Sequence, residues 1–369
     1  MNDSSPMLLI GIGGAGCAMA RGVSRAFGEG LRFVAADSDA ASGDDSDRFL
    51  LLGGDRLSGR GSGGDIVAAR LAAEDSIDVL DESLEGVRLA VIVTALGGGT
   101  GGGATLEAAK HLKARGIPSV VFATTPFTFE GETRQRNARG VMSMIEETAN
   151  ASFFLPLDKL IGDEDNMDEA MRRAVDTLAS AVTLFWRLAA KPGYIRLDTE
   201  RIRHLLAHAG RGRFATVTTQ GPDRAREAVD ALSRAPLLAE GSGPVRAILC
   251  GVLAGEDLRL SEVGRVSDGV RTAFGESCSF ELATVNDEAT FTGRLSVVVM
   301  LFEANGRDSD ETRADSAIAS PRRQRKSSKS PLSLGPQGRG RFNNAEPTVW
   351  NGEDLDIPTF IRRNISLDY

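Results

Sequence analysis

A run of six glycines around one threonine, set between an apolar segment and a helix-forming segment, constrains the fold of this chain more than any other feature. The run occupies residues 97–103; residues 89–95 before it predict a buried strand, and residues 105–115 after it predict a helix. Backbone N–H groups of such a loop can turn toward an anion, helped by the positive end of the following helix. The run lacks the Gly-Lys-Ser/Thr ending of a Walker A loop. A flexible linker is the alternative, but the position between strand and helix favours a phosphate-binding loop.

A second glycine-rich loop lies near the N-terminus, where the apolar residues 7–12 lead into the sequence GIGGAG at residues 11–16. It matches G-x-G-x-x-G in the strand–turn–helix context that this motif requires. Asp37 and Asp39 follow about twenty residues later, where dinucleotide-binding folds place an acidic residue for the ribose. By itself this loop predicts a nicotinamide or flavin dinucleotide as ligand, and a nicotinamide-dependent oxidoreductase is the alternative function. The glycine run argues against that alternative, because a Rossmann domain needs only one phosphate loop.

Both loops, together with further stretches in order along the chain, resemble the tubulin/FtsZ family of GTP-binding polymer proteins. The glycine run resembles the family's signature loop GGGTG[ST]G, with Gly102 where Ser or Thr is usual. Among the other stretches, residues 37–39 resemble the Asn-Thr-Asp loop, residues 59–64 the third phosphate loop, and residues 125–134 the stretch "KPFNFEG…R". Residues 234–238 resemble "SSPLL", residues 254–260 resemble "AGFDLRL", and residues 355–363 resemble the terminal peptide. The resemblance covers residues 7–304 and the tail.

The hydrophobic pattern and the resemblance together predict an α/β fold. It comprises a parallel-sheet GTP-binding domain, a long central helix, a second, smaller α+β domain, and a disordered C-terminal linker with a terminal peptide. These parts are predicted, in that order, at residues 1–163, 164–192, 193–304, 305–350 and 351–369. Strands are predicted at 7–12, 32–37, 89–95, 117–124 and 152–156, and helices at 164–190, 222–235 and 258–274.

The resemblance implies GTP or GDP as the bound nucleotide, with Mg²⁺ held through the nucleotide's own phosphates. It assigns Glu130 to the ribose, Arg134 to the phosphates or sugar, and Asp176 on the central helix to the N1 and N2 donors of guanine. Met171 stands where the base-stacking residue is often Phe, and Val175 replaces a common Asn. The predicted nucleotide-binding residues are Gly13, Gly14, Ala15, Gly16, Cys17, Ala18, Asp37, Asp39, Gly63, Gly64, Gly97, Gly98, Gly99, Thr100, Gly101, Gly102, Glu130, Arg134 and Asp176.

Three residues of the first loop depart from the family pattern. Ala15 and Cys17 replace glycines, and Ala18 replaces a common Asn. A Cβ at Cys17 would crowd the phosphates if that residue needed a positive φ. Its thiol is either activated by the nearby helix N-terminus or simply packed, and a packed thiol is favoured.

No metal held by protein ligands is expected. His204 and His208 lie four residues apart on a predicted helix, but the Glu of H-E-x-x-H and a third ligand are missing.

The loop after the central helix departs most from the family. There the family has Asn-x-Asp-x-x-Asp, which enters the next subunit's nucleotide site and positions the attacking water. This chain retains Asp198 but has Arg196 and Arg201 at the other two positions, while Glu200 is one position out of register. A cation cannot accept a proton or orient water as a base, although it can pair with the γ-phosphate. We therefore expect weak GTP hydrolysis by this chain alone, or a non-hydrolysing regulatory subunit of another member's filaments.

Partners and location follow from the remaining features. We expect head-to-tail self-association, possible association with another family member, and a membrane adaptor bound through residues 353–363. The basic residues 316–341 suit either an anionic lipid or partner, or a solvated linker. No stretch approaches about 18 apolar residues, and three cysteines without paired spacing suit a reduced cytoplasm. The resemblance therefore implies a filament-forming protein of cell division. We predict that it is cytoplasmic, lies at the division site and has no nucleic-acid partner.

Overall fold

A computed structural model describes most of the chain up to residue 303 and two short strands near the C-terminus. The described residues are 6–27, 31–44, 48–160, 166–191, 193–207, 210–239, 241, 243–275, 278–303, 349–350 and 353–354. The predicted linker at 305–350 and terminal peptide at 351–369 fall outside them, apart from β11 (Val349–Trp350) and β12 (Glu353–Asp354), which pair with each other.

Ten strands of the first 303 residues form one sheet. They are β1 (Met7–Ile12), β2 (Arg32–Asp37), β3 (Phe49–Leu51), β4 (Leu89–Ala95), β5 (Ser119–Thr125), β6 (Ala151–Pro156), β7 (Arg211–Gln220), β8 (Val245–Ala254), β9 (Ser279–Asn286) and β10 (Arg294–Glu303). Their order is β3-β2-β1-β4-β5-β6-β7-β10-β8-β9. Strands from β3 to β7 are parallel to their neighbours, whereas β10 is antiparallel to both β7 and β8. The predicted α/β class with a parallel sheet is confirmed.

Helices connect and cover these strands. They are α1 (Gly13–Phe27), α2 (Gly54–Leu57), α3 (Ile66–Glu74), α4 (Asp81–Leu84), α5 (Gly99–Ala114), α6 (Glu132–Thr148), α7 (Met167–Ala190), α8 (Thr199–Leu206), α9 (Arg224–Ser233), α10 (Pro236–Ala239), α11 (Leu260–Phe274) and α12 (Glu288–Phe291). Thus α7 lies within the predicted central helix, and α9 and α11 lie within the two predicted helical segments.

The parallel strands are apolar because both of their faces are covered. On β1, Leu8 and Ile10 belong to one core cluster, while Leu9 belongs to another. Side chains alternate between faces along a strand, so a continuous apolar run indicates burial on both sides. Among the predicted strands, β5 begins two residues later than expected, at Ser119. The three-residue β3 was not predicted, because it is too short to show a pattern.

The long helix α7 packs against both halves of the sheet. Its N-terminus carries a capping box, in which Asn166 accepts from the Glu169 backbone and the Glu169 side chain accepts from the Asn166 backbone. Trp186 of this helix lies in the same core cluster as Phe153 of β6 and Phe302 of β10. The rings of Phe153 and Phe302 are 5.5 Å apart between centroids. One sheet, and the core cluster that contains Trp186, therefore run through the predicted GTP-binding and second domains.

A buried arginine joins α9 to the start of α11. The Arg224 side chain, 4% exposed, bonds to both carboxylate oxygens of Glu262, at 2.7 and 3.0 Å, and to Asp257 at 2.8 Å. Hydrogen bonds from Arg224 outweigh the effect of burial and hold the pKa of Glu262 below its usual range. This network holds the loop that contains the predicted "AGFDLRL"-like stretch.

Candidate functional site

The two glycine-rich loops meet at the carboxyl ends of two adjacent parallel strands. The first loop follows β1 and starts α1, and the second follows β4 and starts α5. Strand β1 pairs with β2 on one side and with β4 on the other, so the chain reverses its direction of travel across the sheet at this point. A Cβ added to Gly13 would lie 3.1 Å from the amide nitrogen of Gly101. Ligands of open α/β sheets bind in this crevice.

The glycines of the second loop serve two different purposes. An added Cβ at Gly101 would lie 2.1 Å from the carbonyl oxygen of Ala95, and one at Gly103 would lie 2.5 Å from that of Ile66. These residues are glycines because the start of α5 packs directly against neighbouring backbone. Gly98, in contrast, has no heavy atom within 4 Å of an added Cβ. Its surroundings leave room for a ligand at the N-cap of α5.

The third predicted phosphate loop, residues 59–64, is joined to the glycine run through hydroxyl groups. The Thr100 Oγ1 lies 2.6 Å from the Ser38 Oγ and 3.4 Å from the Ser62 Oγ. Gly63 and Gly64 have φ of 59° and 87°, with open space around an added Cβ. These conformations favour glycine and leave the backbone accessible.

Asp37 and Asp39, the two predicted aspartates, form hydrogen bonds to the segment that follows β2. Asp37 is 3% exposed, and its carboxylate accepts from the Ser38 backbone at 2.7 Å and from the Ser42 hydroxyl at 2.5 Å. Asp39 accepts from the Ala41 backbone at 2.9 Å. Both carboxylates thus shape the loop beside the glycines through hydrogen bonds within the protein.

A cavity of about 400 Å³ lies between these loops and α7, within the usual size range of ligand sites. Its wall is mostly apolar, with one ion pair. It is lined by Ala15, Ala18, Met19, Ala95, Leu96, Thr124, Pro126, Phe127, Phe129, Glu130, Arg134, Leu157, Ala174 and Val175.

Glu130 and Arg134 form that ion pair at the mouth of the cavity. One oxygen of Glu130 accepts from the Phe127 backbone at 2.8 Å, and the other accepts from the Arg134 guanidinium. The rings of Phe127 and Phe129 stack 4.9 Å apart, and Phe129 is 62% exposed. These contacts fix the orientation of the Glu130 carboxylate, with the Arg134 guanidinium beside it, in a turn whose two phenylalanine rings stack.

The predicted hydrolytic loop, residues 196–201, leads into α8 and includes the first turn of that helix. Asp198 is the N-cap of this helix, and its Oδ1 accepts from the Arg201 backbone at 2.8 Å. The Arg201 guanidinium donates to the Arg196 carbonyl at 3.1 Å and to the Glu281 carboxylate of β9. Glu281 was missed by sequence reasoning, because it lies 80 residues from Arg201 in a strand that shows no motif.

Comparisons with known proteins agree with this geometry. Residues 6–164 match the tubulin/FtsZ family, GTPase domain. The cell division protein FtsZ of Pseudomonas putida is 32% identical over 290 residues, which cover 77% of this chain and 73% of that protein. The chain belongs to the tubulin/FtsZ family. The cell division protein FtsZ of Pseudomonas aeruginosa is likewise 32% identical, over 298 residues that cover 79% of this chain and 75% of that protein.

A solved structure of this family has the same fold. The structure titled an empty FtsZ dimer from M. jannaschii superposes with a TM-score of 0.75 at 25% identity, covering 80% of this chain and 87% of that chain. No helix in the described part of the chain has both the length and the apolar composition needed to cross a membrane.

The tubulin/FtsZ fold places Val175, rather than Asp176, on the wall of the cavity between the loops. Asp176 lines a second cavity of about 440 Å³, together with Gly22, Thr218 and Arg294. Val175 lines this second cavity as well, so the two cavities adjoin at that residue of α7, and Asp176 lines only the second. The structure thus brings Glu130 and Arg134 to the glycine loops but sets Asp176 beside them, on the far side of Val175.

Cys17 packs into the sheet and does not crowd the loop. Its side chain is fully buried, and the thiol donates to the carbonyls of Gly11 at 3.4 Å and Ala36 at 3.6 Å. Among the described non-glycine residues, Ser58 alone has a positive φ. Cys17 therefore lacks the positive φ under which its Cβ was expected to crowd phosphates, and its thiol is packed in the interior.

Proposed function

We propose that this chain is a GTP-binding, filament-forming protein of bacterial cell division. The observation that carries the proposal is the contact of the glycine run with the other two predicted phosphate loops, through Gly13 and Gly101 and through Thr100 and Ser62. Ala15 and Ala18 of the first loop also line the cavity, in a chain of the tubulin/FtsZ family. The curated relatives are named cell division protein FtsZ, and the solved relative is titled an FtsZ dimer.

In this proposal the phosphates bind the backbone N–H groups at the starts of α1 and α5, where the helix dipoles favour negative charge. Open space at Gly98, Gly63 and Gly64 supports this placement. Mg²⁺ binds through the phosphates. Glu130 shares its carboxylate with a ribose hydroxyl, and Arg134 lies close to the sugar or phosphates.

Guanine recognition is assigned to Asp176, whose carboxylate would accept from the two ring donors. This requires the side chain to reach past Val175 from the second cavity. A Val175→Asp variant supplies a matched comparison, since it puts a carboxylate directly on the wall of the first cavity. Tighter GTP binding by Val175→Asp than by the parent would show that the parent lacks a well-placed carboxylate for guanine.

Subunits are proposed to stack head to tail, with the Leu197–Arg201 loop above the next subunit's nucleotide. The relative solved as an FtsZ dimer supports self-association. Heterologous contacts of this kind produce open filaments. Residues 353–363 are proposed to bind a membrane adaptor at the division site in the cytoplasm.

Hydrolysis by this chain alone is proposed to be slow, because Arg201 stands where the family has a carboxylate. The same observation favours a second candidate function, a non-hydrolysing regulatory subunit in filaments of another FtsZ. GTP turnover and sedimentation, measured alone and in mixtures with an FtsZ from the same cell, distinguish the two. Assembly alone supports the first function, whereas sedimentation only in the mixture supports the second.

Nucleotide competition tests the underlying binding site. We expect unlabelled GTP and GDP to displace a fluorescent GTP analogue, and NAD and ATP to displace it at least about tenfold less well, the factor that 1.4 kcal/mol represents. Displacement by NAD in preference to GTP would refute the proposal in favour of an oxidoreductase.

A further inference from the structure

The cation in the hydrolytic loop has a dedicated partner within its own chain. Arg201 lies in the first turn of α8, and its guanidinium is held from two sides by the Glu281 carboxylate and the Arg196 carbonyl. The Arg201 side chain is 43% exposed and that of Glu281 is 22% exposed. The ion pair is therefore partly shielded from water, which makes its charges interact more strongly than those of a fully solvated pair.

The contacts around this pair connect three separate parts of the chain. Glu281 belongs to β9, which pairs along its length with β8 in the continuous sheet. Arg196 and Asp198 belong to the loop, and Asp198 caps α8 through the Arg201 backbone. Arg201, the side chain whose charge differs most from the family pattern, thus fastens the loop to β9, in addition to two hydrogen bonds between Ile195 and Thr284 of that strand.

We propose that Arg201 and Glu281 act as a single unit that keeps this loop in a form unable to promote GTP hydrolysis. The proposal rests on the proposed function, in which the loop lies above the next subunit's nucleotide. It assigns Glu281, which no motif identifies, as the residue that positions Arg201. It also means that the two residues must be changed together if the loop is to become hydrolytic.

The reason is the charge that a single substitution would leave behind. In Arg201→Asp the new carboxylate would face Glu281 without an intervening cation, and both guanidinium bonds would be lost. Two neighbouring carboxylates disfavour each other's ionised form and repel each other from a common position. A carboxylate at residue 201 becomes usable only when residue 281 no longer repels it.

The step at issue is hydrolysis of the γ-phosphate. The oxygen of a water molecule forms a bond to the γ-phosphorus, and the bond from that phosphorus to the β–γ bridging oxygen breaks. GDP and inorganic phosphate result, and the proton of the water passes to a carboxylate and then to solvent. Arg201 cannot take that proton, whereas an ionised carboxylate can.

The test is a set of full-length variants assayed for GTP turnover at matched, sedimenting concentrations. We expect Arg201→Asp/Glu281→Gln to turn over GTP at least about tenfold faster than the parent, because a well-placed general base commonly contributes about 10²–10⁴-fold. We expect Arg201→Asp alone to gain clearly less than this double variant, because Glu281 still opposes the new carboxylate, and Glu281→Gln alone to show no such gain, because it places no carboxylate at residue 201. In the reversed pair Arg201→Asp/Glu281→Arg the new carboxylate is held by a guanidinium, so we expect this variant to raise turnover less than Arg201→Asp/Glu281→Gln.

A matched control uses the exposed ion pair between Arg48 and Glu82, whose nitrogen and oxygen are 2.6 Å apart. Arg201→Asp/Glu82→Gln carries the same change of charge as the first double variant but leaves Glu281 in place. It should behave like Arg201→Asp alone. Thermal unfolding of each variant establishes that any loss is not a loss of fold.

Two results would overturn the inference while leaving the proposed function intact. One is full activation by Arg201→Asp alone, since Glu281 would then not constrain the loop. The other is unchanged turnover in both paired double variants that still bind GTP and sediment. Absence of GTP binding or of sedimentation by the parent, alone and mixed with an FtsZ, would instead refute the proposed function itself.

Discussion

Replacing Gly98 or Gly101, two glycines of the same run, by alanine should affect different properties: nucleotide affinity at Gly98 and stability at Gly101. At Gly101 the new Cβ would lie 2.1 Å from the Ala95 carbonyl oxygen, a distance that only a backbone shift can relieve. Overpacking of well-packed interiors costs typically 1–3 kcal/mol and occasionally more, and backbone yields less readily than a side chain. We expect Gly101→Ala to lower the free energy of unfolding by about 3 kcal/mol.

At Gly98 the protein itself offers no obstacle. The residue is the N-cap of α5 with φ −85° and ψ 174°, a conformation open to alanine, and an added Cβ would meet nothing within 4 Å. Replacing an N-cap glycine by alanine costs at most about 1 kcal/mol. If phosphates lie against this backbone, however, the methyl group occupies their place. We expect GTP affinity to fall by about tenfold or more, equivalent to about 1.4 kcal/mol.

Urea unfolding without nucleotide and titration with a fluorescent GTP analogue separate the two effects. The contrast, a stable variant that binds poorly beside an unstable one, is the critical result. Gly98→Ala with parental GTP affinity would refute the placement of phosphates at the start of α5. Gly101→Ala with parental stability would refute the packing argument for the glycine run.

Four further predictions concern the rest of the chain. Arg224→Met should lower the free energy of unfolding by about 3 kcal/mol in urea titrations, because it leaves the half-buried Glu262 without its cation; an unchanged midpoint would contradict this. Folding lowers the pKa of Glu262, so the ionised carboxylate stabilises the fold above its unfolded pKa, and this stabilisation is lost as pH falls through the lower folded pKa. The parent should therefore lose more stability than Arg224→Met between about pH 5 and pH 3. Parallel curves of unfolding free energy against pH would contradict this prediction. Asp176→Ala should weaken GTP binding by about 1–3 kcal/mol and reduce the preference over ATP, and equal affinities of parent and variant in calorimetry would remove Asp176 from the site. Deletion of residues 351–369 should leave GTP binding and sedimentation intact but abolish recruitment to the division site, and normal localisation in cells would show that the peptide is not the docking element.

The site was predictable from sequence where function depends on local backbone chemistry. The strand–glycine–helix pattern at residues 97–103 identifies a segment that only glycine can fill, although the structure begins α5 at Gly99, earlier than the helix predicted from residue 105. Apolar runs identified the central strands, since burial on both faces removes polar residues from them. The glycine pattern could not separate Gly98 from Gly101, because crowding by Ala95 is a contact that appears only after β4 and α5 pack.

Residues that act through distant partners depended on tertiary structure. The amino-acid sequence by itself determined the α/β class, the order of the main elements, the glycine-rich segments at the ends of β1 and β4, and the unusual Arg201. Only the fold decided that Glu281 holds Arg201, that Val175 takes the cavity wall beside Asp176, and that one sheet runs through both predicted domains. The physical reason is range: periodicity and glycine content are properties of adjacent residues, whereas ion pairs, helix rotation and strand pairing bring together segments whose separation along the chain carries no signal.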